Sequence, residues 1–343
     1  MNEQALLFSL PSPPNHVRDS PFGREVPSYK VISLFAGCGG MDLGFIGGFK
    51  ALSTEYCKLP FDIIWANEIN PYACRTYRRN IGSHIHEGDI WDLINTAPKH
   101  ADVVIGGFPC QDISINGKGA GVAGNRSGLY RAMVEMVKKT MPRIFIAENV
   151  KGLLMKSRTH DLASVVKDFS ALGYQVSIKL YNAADYGVPQ TRERVFIVGV
   201  ADSSCRFDPP LPTHFKTAHI TALEAIHDLV SVPEDHATNH IWSRANKSPD
   251  QGNRKLVANR PGYTIRAECH GNIQWHYALN RRISMREAAR IQSFPDSFVF
   301  ESKLRETERQ IGNAVPPVLA WHVSNSIAKT LIESDYQQSH AAA

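Results

Sequence analysis

The stretch Lys30-Val31-Ile32-Ser33-Leu34-Phe35-Ala36-Gly37-Cys38-Gly39-Gly40-Met41-Asp42-Leu43-Gly44 opens on a short apolar run, breaks into closely spaced glycines and resumes with helical spacing. A strand-to-helix turn of this kind lets backbone approach a ligand at the carboxyl edge of an open sheet. The dinucleotide fingerprint G-x-G-x-x-G wants glycine where Asp42 stands, so a pyrophosphate-binding reading loses ground. Beyond this first strand, residues 30–35, apolar runs follow over 61–67, 103–106, 143–148, 175–182 and 195–200, with helical patterns such as 130–140 and 160–172 between them. The alternation predicts an α/β protein whose doubly wound, Rossmann-like parallel sheet is nearly complete by residue 200.

After Val200 the texture changes to Pro209-Pro210-Leu211-Pro212, scattered histidines, Gly and Asn, which predicts a second, smaller and irregular domain. Helical spacing returns over 284–293, and another apolar helix is expected over 314–332, beginning near Gly312-Asn313. The expected division is an arm over 1–29, a first domain over 30–200, a second over 201–300, and a helix over 301–335 that returns to the first domain.

Of the 343 residues, 43% are hydrophobic and 21% charged, and no apolar run approaches the roughly 18 residues of a spanning helix, so membrane-spanning and disordered classes are excluded. The net charge is +5, yet between His240 and Arg290 ten Lys/Arg stand against three Asp/Glu. A basic segment in an otherwise balanced chain favours a phosphate-bearing partner, although a solvated face with acidic neighbours is the commoner origin of a charge cluster. The six cysteines form no CxxC pair and no zinc-ligand spacing, so neither a disulfide framework nor a metal is expected. The first 29 residues hold five prolines and no charged start before an apolar core, which predicts a cytoplasmic protein.

Glu68 ends the second run, where a carboxylate can accept both ribose hydroxyls of an adenosine, and Asp89 follows the approach to a third strand. Each acid alone reads as a solvated loop residue. With the glycine turn they suggest an adenosine-bearing cofactor without a pyrophosphate, and S-adenosylmethionine fits. A further run ends in Gly106-Gly107-Phe108-Pro109-Cys110-Gln111, putting a cysteine at the carboxyl edge in a polar, glycine-lined setting that suits a nucleophile. Glu148-Asn149-Val150 ends the next run, and Gln190-Thr191-Arg192-Glu193-Arg194 leads into the last.

These residues resemble the DNA cytosine-5 methyltransferase family. The glycine turn, Gly106 to Gln111, Glu148 to Val150, Gln190 to Arg194, and Gly312-Asn313-Ala314-Val315-Pro316 are similar to its ordered motifs over about Lys30 to Ile332. The resemblance implies S-adenosyl-L-methionine as cofactor, S-adenosyl-L-homocysteine as product, and methylation at C5 of a cytosine rotated out of double-stranded DNA. It implies that Cys110 adds to C6, that Glu148 binds N3, that Arg194 holds O2 and that Arg192 supports them. It assigns the cofactor to Phe35, Ala36, Gly37, Cys38, Gly39, Gly40, Glu68, Ile69, Asp89, Ile90, Phe108, Pro109, Leu129, Asn313, Ala314 and Val315.

By the same resemblance residues 111–128, rich in glycine and carrying Lys118 and Arg126, form the loop that closes on DNA, with Gln111, Asn116 and Lys118 at the duplex. The second domain becomes a target recognition domain in which Thr264, Arg266, His270 and Asn272 face bases. Arg244, Lys247, Arg254, Lys255, Arg281 and Arg282 are then expected at phosphates. The arginine-rich stretch leans towards a G/C-rich site with a CCGG core. A compact chain resembles a bacterial or phage modification methylase, monomeric on DNA, with a companion restriction endonuclease held in no stable complex. The rival within the resemblance is a transfer RNA cytosine methyltransferase, a branch associated with a Cys-Phe-Thr tripeptide absent here. A zinc deaminase needs Pro-Cys-x-x-Cys, and Ile113 stands where its second cysteine belongs.

Overall fold

The computed structural model describes residues 27–108, 128–202, 205–245, 254–267 and 274–341. In chain order its strands are β1 (Tyr29–Leu34), β2 (Phe49–Ala51), β3 (Thr54–Tyr56), β4 (Phe61–Glu68), β5 (Ile85–Glu87), β6 (Val103–Gly107), β7 (Ile144–Val150), β8 (Gln175–Asn182), β9 (Gln190–Thr191), β10 (Glu193–Val200) and β11 (Gly262–Tyr263). The helices are α1 (Gly40–Ile46), α2 (Pro71–Asn80), α3 (Ile90–Leu93), α4 (Leu129–Thr140), α5 (Thr159–Ala171), α6 (Ala222–Ile226), α7 (Met285–Ile291), α8 (Leu304–Asn313) and α9 (Pro317–Ala341).

Seven strands form one sheet in the order β5-β4-β1-β6-β7-β10-β8. In β1, Tyr29 and Val31 belong to one apolar cluster while Ile32 and Leu34 belong to another, so the central strand is covered on both faces, as a doubly wound sheet requires. Two features depart from the parallel six-strand expectation. β5 is a three-residue edge strand too short to show a pattern, and β10 runs antiparallel to both β7 and β8. The reversal puts the beginning of β10 at the edge where β1, β4, β6 and β7 end.

The glycines after β1 serve two purposes. A Cβ on Gly37 would meet no protein atom, whereas one on Gly40 would lie 2.5 Å from the Val315 carbonyl oxygen and one on Gly44 2.4 Å from Ala320 Cβ. Gly40 and Gly44 therefore make room for the chain around the start of α9. The helix expected from Gly312-Asn313 onward is two: α8 ends at Asn313, and α9 starts at Pro317, a residue suited to a first helical turn. The apolar cluster holding Val31 and Leu319 also contains Ile226, Phe294 and Phe300, so much of 201–300 shares the core of the sheet.

Candidate active site

At the carboxyl edge of the sheet lies a cavity of about 520 Å³, within the usual range of small-molecule sites. Its first wall is the turn after β1, where Phe35 and Gly37 take positive φ of 55° and 58°, a costly conformation for a bulky residue such as Phe35. Glu68 at the end of β4 holds this turn: Gly37 N donates to Oε2 at 2.9 Å and Asn70 N to Oε1 at 2.8 Å. Burial pushes the Glu68 carboxyl up from its ordinary value, and the backbone donors pull against it.

The opposite wall holds Glu148 on β7 and Arg194 on β10. Because Phe196 stands opposite Glu148 and Val150 opposite Arg194, the two side chains are diagonal neighbours on one face. Arg194 Nε donates to Glu148 Oε1 at 2.8 Å, with both side chains nearly buried. A Cβ on Gly107, opposite Glu148 on β6, would lie 2.9 Å from Oε2, so this position leaves space for the carboxylate. Burial raises the Glu148 pKa, opposed by the guanidinium groups of Arg194 and Arg192. Asn149 Nδ2 donates to the Phe108 carbonyl at 2.8 Å and ties the end of β7 to the chain leaving β6.

A model of C-5 cytosine-specific DNA methylases matches residues 29–259 and 237–329. Among curated relatives, the Type II methyltransferase M.NgoFVII of Neisseria gonorrhoeae is 37% identical over 335 residues, 87% of this chain and 86% of that protein. The Type II methyltransferase M.BsuRI of Bacillus subtilis is 34% identical over 88% of this chain and 80% of its own. The chain belongs to the C-5 cytosine-specific DNA methylase family. The solved structure of the Dnmt2 methyltransferase from S. pombe, 18% identical, superposes with a TM-score of 0.60 over 89% of this chain and 99% of that one, a likeness of fold. The protein is a cytosine methyltransferase acting on DNA, built on the Rossmann-like methyltransferase sheet.

Of the sequence-expected cofactor residues in this methylase, Phe35, Ala36, Gly37, Cys38, Gly40, Glu68, Phe108, Leu129, Asn313, Ala314 and Val315 line the cavity, as do Glu148, Arg192 and Arg194. Gly39, Ile69, Asp89 and Ile90 stand off its lining. Gly39 is the left-handed cap of α1, Ile69 is 66% exposed, and Asp89 caps α3 by accepting from Trp91 N at 2.9 Å while Ile90 is buried behind it. Pro109, Cys110, Gln111, Asn116, Lys118, Lys247, His270 and Asn272 lie outside the described residues.

Arg192 is wholly buried and donates to the carbonyls of Ile265 at 2.7 Å and Gly312 at 2.8 Å. It fastens the strand-like stretch around β11 to the end of α8. Gln190 and Gln292 extend the same fastening. Gln190 Oε1 accepts from Ile265 N, its Nε2 donates to Gln292 Oε1, and Gln292 Nε2 donates to the Ala314 carbonyl at 2.6 Å. Sequence reasoning missed Gln292 here, and missed Asn70, Arg309 and Gln310 on the cavity wall. Their one signal was proximity to a recognised motif.

On the recognition side, Thr264 Oγ1 donates to the Thr191 carbonyl at 2.8 Å, and Arg266 is exposed. Arg254, Lys255 and Arg260 are exposed as well. Two arginines expected at phosphates are placed otherwise. Arg281 makes a two-pronged pair with Glu287 and stacks 4.2 Å from the Trp242 ring centroid, while Arg282 is buried against Trp275. Among the described residues no group of His, Cys, Asp or Glu is arranged to hold a metal, and no helix is long and apolar enough to cross a membrane.

Asp42, on the cavity wall, is wholly buried and accepts from Ser33 Oγ at 3.0 Å and Tyr77 Oη at 2.8 Å. Burial pushes it from 3.8 up to about 6 despite those donors. An acid whose folded pKa lies above its unfolded one stabilises the fold at low pH and loses that contribution as pH rises through the folded value. In urea unfolding, Asp42→Asn should therefore gain on wild type between about pH 4 and pH 7, by up to about 3 kcal/mol. A stability difference that stays flat over that interval places the titration elsewhere.

Proposed function

We propose that the protein transfers a methyl group from S-adenosylmethionine to C5 of a cytosine rotated out of a short, specific double-stranded DNA site, through a covalent bond between Cys110 Sγ and C6. The observation that carries this reading is the Glu148–Arg194 pair facing, across one cavity, a glycine turn tied to Glu68. The same cavity suits an adenosine-bearing group. Gly37 leaves an open face, and each Glu68 oxygen, already fixed by one backbone N–H, keeps a lone pair for a ribose hydroxyl. Asn313, Ala314 and Val315 would close the far wall, with Ile69, Asp89 and Ile90 proposed at the adenine end. When bound, S-adenosylmethionine supplies an electrophilic methyl group.

C5 of cytosine is a weak nucleophile. A Cys110 thiolate adding to C6 forms the S–C6 bond and moves the C5=C6 electrons towards C5 as an enamine. Glu148, held by Arg194, would stabilise that adduct at N3, protonated or as a hydrogen-bond partner, and Arg194 would hold O2 and favour the ionised thiol. Once C5 carries the methyl group, its proton leaves to a water. The S–C6 bond then breaks and restores both the aromatic ring and Cys110. These atoms are out of reach in a stacked duplex, so the base must leave the helix. Gln111, Asn116, Lys118, Thr264, Arg266, His270 and Asn272 are proposed at the DNA. The protein would act in the cytoplasm as the modification partner of a restriction endonuclease.

Methylation-sensitive sequencing of DNA from expressing cells gives the target site, and a duplex with 5-fluorocytosine at that target tests the chemistry. Fluorine cannot leave as a proton does, so the protein should be captured covalently through a peptide containing Cys110. Capture through Cys38 or Cys269, or no capture in the presence of cofactor, overturns the assignment.

A further inference from the structure

The proposed reaction gives Asp42 no part, although it is a wholly buried carboxylate on the wall of the cofactor cavity. Its two oxygens accept from the Ser33 and Tyr77 hydroxyls, and Tyr77 Oη lies 2.9 Å from His84 Nε2. Two hydroxyl donors orient a carboxylate without neutralising it. A buried charge without a counter-ion is unfavourable, and the surroundings offer Asp42 none.

Each element packed around Asp42 contributes a neutral or acidic group. The turn before α1 supplies Cys38, whose thiol burial pushes up to about 12, and β4 supplies Glu68. From α2 comes Tyr77, whose phenol burial holds well above its ordinary value. His84 behind it is pushed down by burial, away from the charged form. The chain around the start of α9 meets α1 at Gly40 and Gly44 through Ala314, Val315, Pro317 and Ala320, none of them charged. Among the described residues Asp42 forms no ion pair, and the cavity wall is where a cation could come to it.

We propose that Asp42 is the counter-charge by which this cavity distinguishes the sulfonium of S-adenosylmethionine from the neutral thioether left after methyl transfer. The inference rests on the cofactor reading above. Cofactor and product share adenine, ribose and amino-acid groups, so Glu68, the glycine turn and residues 313–315 meet both alike. They differ by one methyl group and one positive charge. A group that senses charge is needed to hold the one and release the other, and a buried carboxylate senses it more strongly than an exposed one. Asp42 is thereby a positioning residue for the charged cofactor, acting before and after chemistry.

The test is calorimetric titration of the full chain with S-adenosylmethionine and with S-adenosylhomocysteine from pH 5 to pH 8. In wild type the ratio of the two dissociation constants should shift in favour of the sulfonium ligand by about tenfold as Asp42 ionises, the order of one unit charge acting on another in a partly buried site. Near pH 6 the sulfonium ligand should release more protons on binding than the thioether, read from titrations in buffers of different ionisation enthalpy. In Asp42→Asn the ratio should stay flat at its low-pH value. Tyr77→Phe removes one donor to the carboxylate and should move the shift to higher pH, which keeps the test open if Asp42→Asn does not fold. A wild-type ratio that ignores pH, or an unchanged pH-dependent ratio in Asp42→Asn, overturns the role of Asp42. Wild type that binds neither ligand at any pH overturns the cofactor reading itself, and this inference with it.

Discussion

Cys110→Ser is expected to lower the rate of methyl transfer by about 10⁴-fold or more while leaving affinity for cofactor and duplex DNA within about twofold. A cysteine thiol is in general a far stronger nucleophile than a serine hydroxyl, which scarcely ionises at neutral pH. Binding should survive because the walls proposed to hold cofactor, from Glu68 to Val315, are built by other elements. Single-turnover transfer of a radiolabelled methyl group, measured beside calorimetric binding, separates the two effects. A variant that retains a tenth of the wild-type rate would exclude Cys110 as the nucleophile. Equal losses of rate and of binding would mean that Cys110 shapes the site instead of reacting in it.

Glu148→Gln is expected to lower single-turnover transfer by about 10²- to 10⁴-fold, the range of a lost acid–base partner. Glutamine keeps the shape that Gly107 accommodates, but it carries no charge for Arg194 and cannot take up or give a proton at N3. The carboxyl sits nearly buried, where burial favours its protonated form and the two guanidinium groups favour its ionised form. That balance is what a group shifting between donor and acceptor needs. In the variant Arg194 loses its partner at 2.8 Å, so covalent capture on a fluorinated duplex should also slow. A single-turnover rate within threefold of wild type would show that the pair is structural.

How much of the site was legible depended on the range of the forces that build it. Glu68 and Glu148 could be read because each ends an apolar run, and the carboxyl end of a strand in an α/β sheet faces the ligand edge. Gln310 and Arg309 could not be read, because a polar residue on a short helix looks the same in sequence whether it faces water or a cavity. Arg192 shows the same limit from the other side. The motif drew attention to it, but its burial and its bonds to the Ile265 and Gly312 carbonyls exist only once residues far apart in sequence meet. Arg281 and Arg282 counted as surface charge, and partners elsewhere in the fold, Glu287 with Trp242 and Trp275, took them inward.

The sequence by itself determined the alternation of strands and helices, the glycine turn after the first strand, and the order in which a carboxylate, Glu148, and two arginines, Arg192 and Arg194, follow one another at the sheet's edge. Those features are local, set by apolar periodicity and backbone freedom within a few residues. The direction of β10 was decided by tertiary structure. In a wholly parallel sheet the start of a strand lies at the edge opposite to the strand ends, and Arg194 would be a sheet's length from Glu148. The antiparallel register, with Phe196 opposite Glu148, brings them to 2.8 Å. The reason is that pairing energy depends on which partners a strand finds between β7 and β8, and its own residues read the same in either direction.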